Sequence, residues 1–289
     1  MGNPLLSSAA ILGFFLFAPG RVLHAQAAKI FEASFGNDAN DGSRGSPKRN
    51  FQPAHDAVAA GGQIVVLDTA GYGALAITKS VAVTVPPGVN GFVSVSGNAD
   101  AITVNAGTSD VVSLRGLILE GGGKFGTGSH GVFATSVGTL VVEECAIRNF
   151  VTGISLFQSV AGSLEVHGSS VRQCLLGIFA APQAVVALKS LVTGCLLEDN
   201  FSAALVTQSL RGGTVTLSAI NCVLSGNNRA FQPSGSGTNS LIYADGCRAY
   251  NNTKVVDLSS GGQAYTLNNN AFTDNATVSD AFTGAVPVR

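Results

Sequence analysis

Charged residues are scarce in this chain, and tryptophan is absent. Only 11% of the 289 residues are charged, against about 25% in an average globular protein. Disorder is excluded, because a disordered chain combines low hydrophobicity with high net charge, whereas here 46% of residues are hydrophobic and the net charge is −1. Nucleic acid is excluded as a partner, since there is no basic run and only 7% of residues are aromatic.

Long apolar runs are also missing after the first 27 residues. Residues 5–18 form an apolar stretch shorter than the roughly 20 residues that span a bilayer as a helix, and Ala25-Gln26-Ala27 matches a signal-peptidase site. Residues 1–27 are therefore predicted to be a signal peptide. An uncleaved anchor is the alternative, because the first four residues carry no Lys or Arg. The mature chain is predicted to be exported to a bacterial periplasm or medium, without stable membrane insertion.

A short phrase recurs along the chain: a small residue, an aliphatic residue two places later, and then Asn or a near substitute. The phrase begins 23 to 28 residues apart at Leu117, Cys145, Ser169, Cys195, Cys222, Cys247 and Asn270. Such a period without a helical pattern is typical of a β-solenoid, in which parallel strands stack about 4.8 Å apart. The roughly 225 residues from Ile64 onward, at about 25 per coil, predict eight or nine coils.

The strand period of two predicts that the first, third and fifth residues of each phrase point inward. Stacked Asn side chains are expected to satisfy one another by amide hydrogen bonds. Four of the phrases begin with cysteine, and these thiols are predicted to be free, because side chains about 4.8 Å apart exceed the Cβ separation of roughly 3.5–4.5 Å in a disulfide. Disulfide pairing is the alternative, and Cys174 has no place in the repeat.

These phrases, with Gly153-Ile154 and Gly177-Ile178 opening the next strand, resemble the parallel β-helix proteins of the pectate-lyase-like superfamily. The segment from Gly36 to Gly73 is similar to the opening of many exported bacterial members. The resemblance covers nearly all of residues 30–280 and implies an all-β fold, a right-handed single-stranded parallel β-helix. It leaves the chemistry open, because the superfamily contains lyases, hydrolases, epimerases, adhesins and non-catalytic binders.

The bare strand edges at the two ends of a solenoid need covers. Residues 28–63 are predicted to form an N-terminal segment with a capping helix at 53–60, because Pro53 suits a first helical turn and Gly61 suits a C-cap. The β-helix is predicted over residues 64–275, and residues 276–289 are predicted to close the other end.

Acid clusters of the kind that the resemblance implies for pectinases are missing. Calcium-dependent lyases of that superfamily group Asp or Glu ligands, and its hydrolases carry an adjacent Asp pair, but this chain has no Asp-Asp pair. The three histidines after residue 27 lack metal-ligand spacing. The sequence therefore predicts no metal and no cofactor. Asp38 and Asp41 are predicted to belong to a plain turn, with a calcium site as the alternative.

The residue two places before each phrase is predicted to face outward. Down the coils this column reads Arg115, Glu143, His167, Thr193, Ile220, Asp245 and Asn268. Its first three members are expected to hold an anionic sugar, with Glu143 or His167 placed for proton transfer, or else to form an exposed ion-pair ladder. A second outward column, Glu120, Arg148, Arg172 and Glu198, is predicted to compensate charge across strands.

The glycine-rich loop at residues 121–131 carries Lys124 and His130. It is interpreted either as a plain connector or as part of a binding site, since insertions on one face of a solenoid often bind ligands. The sequence thus predicts an exported β-helix whose lateral face binds a polymer, a polysaccharide, without a clear catalytic apparatus. The predicted ligand-binding residues are Arg115, Lys124, His130, Glu143 and His167. The alternatives are a polysaccharide lyase or related enzyme with Arg115, Glu143 and His167 as catalytic residues, and a self-associating or adhesive surface protein.

Overall fold

The computed structural model describes residues 26–122, 130–235, 239–267, 269–277 and 282–285. These residues form 28 β-strands, numbered β1–β28 in chain order, and one short helix, α1. The strands build three parallel sheets along one solenoid, here named sheets I, II and III in the order in which each coil visits them. The predicted all-β parallel solenoid is therefore confirmed.

Sheet I has eleven strands: β1 (Ala27–Glu32), β2 (Val58–Val66), β5 (Val81–Thr84), β8 (Val111–Arg115), β11 (Thr139–Glu143), β14 (Gly162–His167), β17 (Ala187–Thr193), β20 (Thr214–Ile220), β23 (Ser240–Asp245), β26 (Gln263–Thr266) and β28 (Gly284–Ala285). Sheet II has nine: β3 (Ala70–Gly71), β6 (Gly91–Ser94), β9 (Leu117–Glu120), β12 (Ala146–Arg148), β15 (Ser170–Arg172), β18 (Leu196–Glu198), β21 (Val223–Ser225), β24 (Arg248–Tyr250) and β27 (Ala271–Thr273). Sheet III has eight: β4 (Leu75–Ile77), β7 (Ile102–Asn105), β10 (His130–Ser136), β13 (Thr152–Gln158), β16 (Leu176–Pro182), β19 (Ala203–Gln208), β22 (Arg229–Ser234) and β25 (Lys254–Val256).

From β5 to β25, about seven regular coils each supply a strand of at least three residues to all three sheets. The coil before them has only the two-residue β3 in sheet II, and the coil after them has no described strand in sheet III. The number of regular coils is therefore slightly below the predicted eight or nine. Alternate side chains of the regular coils fill the interior, as in the sheet I row Val112, Leu140, Leu164, Ser190, Leu217 and Ile242.

From the coil of β12 onward, the chain bends after its sheet II strand at a residue with positive φ. This residue is Asn149, Gln173, Asp199, Gly226, Asn251 or Asp274, the fifth of its phrase, and its side chain does not point inward as predicted. The sixth residue is the inward one, because the left-handed residue turns the chain and breaks the alternation. It is Phe150 or Cys174 in two successive coils and Asn200, Asn227 or Asn252 in the next three, all of them buried.

The buried asparagines form the amide column that the sequence predicts. Asn227 Oδ1 accepts hydrogen bonds from the backbone N–H and Nδ2 of Asn200, both at 2.9 Å. Asn227 in turn donates from its backbone N–H (2.9 Å) and Nδ2 (3.0 Å) to Asn252 Oδ1. Cys174 lies at the top of this column, since its N–H donates to Asn200 Oδ1 at 3.2 Å, which gives this cysteine the place in the repeat that the sequence did not reveal.

All five cysteines are free and buried, so the disulfide alternative is wrong. The thiols of the phrase column donate to carbonyl oxygens of the neighbouring coil, as in the contact of 3.3 Å from Cys222 Sγ to the oxygen of Val192. Burial raises the pKa of Cys145 and of Cys174 to about 12, because a thiolate would have to form without water.

Helix α1 (Phe51–Ala57) caps the N-terminal end of the solenoid. It begins two residues earlier and ends three residues earlier than predicted, because Val58 is already extended and starts β2. The helix satisfies the exposed edge of β4 with side chains: Gln52 Oε1 accepts from the N–H of Ala76 at 2.8 Å, and His55 Nε2 accepts from the N–H of Thr78 at 3.3 Å. This device prevents further strand pairing at that edge.

The Gly/Asn/Asp segment before the helix is a hydrogen-bonded turn. One oxygen of Asp38 accepts from the N–H groups of Arg49 and Asn50, both at 2.9 Å, and Asp41 accepts from the N–H of Ser43 at 2.9 Å. These carboxylates therefore organise the backbone around the cap, as the plain-turn interpretation predicts.

At the C-terminal end, the ring of Phe282 packs on Phe272 (5.5 Å between centroids) and Phe231 (6.1 Å). These aromatic rings cover the last coil. No helix among the described residues is long and apolar enough to cross a membrane.

Candidate functional site

The outer face of sheet I brings three predicted site residues together. Glu143 on β11 is directly opposite Arg115 on β8 and His167 on β14. The same register continues to Thr193, Ile220 and Asp245, while Asn268 lies outside the described residues. The sequence alignment therefore predicted this column correctly, and its members are one strand spacing, about 4.8 Å, apart.

The ionic contacts of this column go to residues outside it. The Arg115 guanidinium binds Glu144, with Nη2 to Oε1 at 3.0 Å and Nε to Oε2 at 3.2 Å. His167 Nε2 lies 3.4 Å from Oε2 of Glu165. Glu143 has no side-chain partner within the described part of the chain. The predicted ion-pair ladder along the column does not form, because Glu144 occupies the bend after β11 with φ 52° and reaches Arg115 from outside the sheet.

Both charges of the Arg115–Glu144 pair remain accessible. The side chain of Arg115 is 46% exposed and that of Glu144 is 57% exposed, so water screens the attraction. Exposed pairs of this kind contribute about 0–1 kcal/mol. A carboxylate ligand can therefore replace Glu144 at the guanidinium with little loss of protein stability.

A shallow depression of about 380 Å³ lies beside this column on β14, β17 and β20. It is lined by Ser163, Leu164, Glu165, Lys189, Ser190, Leu191, Thr216 and Ser218. We call the depression together with Arg115, Glu143 and His167 the sheet I groove. Its lining offers hydroxyl groups, one carboxylate and one ammonium above an aliphatic floor.

Glu165 and Lys189 were missed by the sequence analysis, although a signal for them was present. Glu165 is two residues before His167 on the same strand, and the period of two sends both side chains to the same face. Lys189 is opposite Ser163 on the neighbouring strand. Reading the positions two and four residues before each column member would have found both.

The two other predicted ligand-binding residues do not join the groove. His130 begins β10 in sheet III, where its Nδ1 lies 2.8 Å from Oδ1 of Asp100 and its ring stacks on Phe133 with 4.2 Å between centroids. Lys124 lies outside the described residues, as does most of its loop. Within the described residues, the predicted set of five thus has three members in the groove and one on another sheet.

The second predicted column has the expected register on sheet II. Arg148 is opposite both Glu120 and Arg172, and its guanidinium forms an ion pair with Glu120. Glu198, opposite Arg172, accepts a hydrogen bond of 3.1 Å from Ser225 Oγ. Charge compensation across strands is therefore present for Arg148. Because this column also contains arginine and glutamate, its residues can serve as a control for those of the groove.

A larger recess of about 730 Å³ lies at the N-terminal end, away from the groove. Its charged lining residues have both signs: Lys29, Asp41, Lys48 and Asp56. Lys48 Nζ donates to the carbonyl oxygen of Asp38 at 2.9 Å, and Asp41 holds its own turn. The recess is framed by the cap and contains no residue of the predicted site.

Comparison with known proteins identifies the fold. No family model and no curated protein matches the chain. Among solved structures, the chain is similar to one described as the crystal structure of pectate lyase Pel9A, with 15% sequence identity and a TM-score of 0.64. The match covers 89% of this chain and 79% of that chain. The chain therefore has a pectate-lyase-like parallel β-helix fold, as the resemblance in its sequence predicts.

Proposed function

Given this fold, we propose that the protein is an exported module that binds an acidic polysaccharide in the sheet I groove. The observation that carries the proposal is the register that sets Arg115, Glu143 and His167 side by side, next to a depression lined with hydroxyl groups. The likeness to a pectate lyase supports a polysaccharide as the ligand class.

The chemistry of the groove suits an anionic sugar. Arg115 presents a planar guanidinium that binds carboxylates through two hydrogen bonds. Lys189 adds a second cation, and Ser163, Thr216 and Ser218 supply hydroxyl groups for sugar hydroxyls. Parallel strands repeat every 4.8 Å or so, which gives a linear polymer a series of similar contacts along the solenoid axis.

A lyase is the second candidate, and it is favoured by the carboxylate of Glu143, which lies between Arg115 and His167 and has no side-chain partner among the described residues. In a β-elimination, a base removes the proton next to the sugar carboxylate, and the electron pair forms a C=C bond as the glycosidic C–O bond breaks. Glu143 or His167 would take the proton, and Arg115 would hold the carboxylate whose charge grows in the transition state. The leaving oxygen would gain a proton from water, and the hydroxide so formed would take back the proton held by the base.

Affinity electrophoresis tests the binding proposal. The protein is run through gels that contain neutral or acidic polysaccharides, beside the variant Arg115→Ala/Glu143→Ala/His167→Ala. The matched control is Glu120→Ala/Arg148→Ala/Arg172→Ala, which removes similar charges from sheet II. We expect an acidic polysaccharide to retard the protein and the control, but not the groove variant.

Equal retardation of all three proteins would move the binding surface away from the groove, and unaltered mobility in every gel would contradict polysaccharide binding. Any polysaccharide that retards the protein is then incubated with it and followed by ultraviolet absorbance of an unsaturated sugar product. Product formed by the protein and lost in Glu143→Gln would establish the lyase. Size-exclusion chromatography over a concentration series tests the third hypothesis, self-association.

A further inference from the structure

Two tyrosines extend the outer face of sheet I beyond the groove. Tyr243 on β23 is directly opposite Tyr265 on β26, and their rings stack with 5.4 Å between centroids and 20° between planes. They belong to an outward row of sheet I that includes Ser113, Val141, Glu165, Leu191, Ser218, Tyr243 and Tyr265 and continues to Gly284, which has no side chain. The depression and the tyrosine pair therefore lie on one line parallel to the solenoid axis.

The two faces of the Tyr243 ring have different neighbours. Tyr265 covers one face, and its own hydroxyl is held by Gln263 Oε1 at 3.0 Å. On the other side, the neighbour in the row is Ser218, whose side chain is too short to cover an aromatic ring. Ser218 also lines the depression. The second face of Tyr243 thus borders the C-terminal end of the groove.

We infer that Tyr243 is a stacking subsite at which the terminal sugar ring of a glycan bound in the groove packs against the phenol, with Tyr265 as its support. The inference rests on the proposed function, and it adds a requirement for ligand length. From the strand of His167 to that of Tyr243 there are three strand spacings, about 14 Å. Only an oligosaccharide of several units can contact both, with its carboxylates toward Arg115 and an apolar ring face on Tyr243.

The chain is suited to a direct measurement of this contact. It contains no Trp and four Tyr, so tyrosine emission is not masked. Tyr72 is buried beneath the N-terminal cap, and Tyr250 is on sheet II. A glycan that covers Tyr243 should change the emission of the protein, and this change should be lost in Tyr243→Phe because the reporting phenol is gone.

The experiment compares the protein with four variants against an acidic polysaccharide and a disaccharide cut from it. Tyr243→Ala should bind the polysaccharide about two- to tenfold more weakly, whereas Tyr243→Phe should keep its affinity because the ring remains. Tyr250→Ala is the matched control and should bind like the unaltered protein. Disaccharide binding should be the same in all of these, since the short ligand cannot reach Tyr243.

The fourth variant, Ser218→Tyr, keeps the test valid if Tyr243→Ala fails to fold. It adds a ring to the stacked pair and fills the space assigned to the sugar, so we expect a folded protein with weakened polysaccharide binding. If Tyr243→Ala folds and binds the polysaccharide with unaltered affinity, the subsite is wrong while the groove stands. If Ser218→Tyr binds it normally, the subsite is wrong, and so is the part of the groove that Ser218 lines. If no polysaccharide binds the unaltered protein, both the groove and the subsite fail.

Discussion

The buried amide column and the buried Glu32 near the N-terminal end differ in whether their polar groups have partners. Near the C-terminal end, each buried asparagine of the amide column pairs with the next, and Asp257 lies between Arg229 and Lys254. At the N-terminal end, Glu32 is completely buried, and neither of its carboxyl oxygens has a hydrogen-bond partner in the described part of the chain. The asparagines of the amide column thus find partners in the next coil, whereas the carboxyl group of Glu32 finds none among the described residues.

The ionisation of the two buried acids follows this difference. Burial opposes ionisation of Asp257, yet hydrogen bonds from Ser259 and Arg229 hold the pKa of its carboxyl below the ordinary value. Burial and the nearby charge of Asp38 raise the pKa of Glu32 to about 9. The acid that has partners is thus charged at neutral pH, and the acid without them is protonated.

The largest effect is expected when the amide column is interrupted. Asn227→Ala removes the partner of the Asn200 N–H and a partner of the Leu197 carbonyl oxygen, while Asn200 Nδ2 keeps its hydrogen bond to the carbonyl oxygen of Val171. Buried unpaired groups cost about 1–3 kcal/mol each, so for these two groups we expect the free energy of unfolding to fall by about 2–6 kcal/mol. Urea denaturation followed by circular dichroism measures this loss. Asn228→Ala, at the half-buried next position, is the control, and an equal loss in both variants would contradict a special role for the column.

A gain is expected when the isolated acid is neutralised. Because the pKa of folded Glu32 is raised from 4.5 to about 9, the folded state binds more protons between these values, and stability falls as pH rises through this window. At pH 7 the cost is about 3 kcal/mol. Glu32→Gln should remove this part of the pH dependence, which urea denaturation between pH 5 and 8.5 (about the width of the window) can measure. Glu198→Gln is the surface control, and a pH slope unaltered by Glu32→Gln would rule out a neutral buried Glu32.

The smallest effect on the free energy of unfolding is expected when the amide column is extended by one coil. In Cys174→Asn the new Nδ2 can donate to Asn200 Oδ1, which already accepts from the backbone of this residue. We expect stability to change by less than about 1 kcal/mol, whereas the reverse exchange, Asn227→Cys, should cost several times more. Thermal unfolding of the two variants makes the comparison. Equal losses would show that the column depends on its ends as much as on its interior.

Much of the architecture was predictable because the repeat itself carries the register. The outward columns follow from the aligned phrases and from counting by two along strands, and the structure confirms that Glu143 pairs with Arg115 on one side and His167 on the other. Counting by two failed at the bends. Asn149 and Asp199 have positive φ there, so the side chain that points inward belongs to the sixth residue of the phrase and not to the fifth. The strand period of two applies only to extended backbone, so it does not predict which side chains point inward at a bend.

The groove was less predictable than the fold, for a related reason. Glu144 is a bend residue, so strand periodicity says nothing about where its side chain goes, and its contact with Arg115 was missed. Lys189 is four residues before Thr193, so the strand period of two does place it on the outer face, but the period does not show that this face is recessed there. Contacts between coils outside the repeated phrase need the full three-dimensional register.

The five buried thiols also allow the opening of individual coils to be measured. Five consecutive coils carry one cysteine each: Cys145, Cys174, Cys195, Cys222 and Cys247. A buried thiol reacts with an alkylating reagent only when its coil opens, so the labelling rate of each cysteine reports the opening frequency of that coil. Mass spectrometry of the labelled protein can therefore measure the opening rate of each of these coils without an engineered probe.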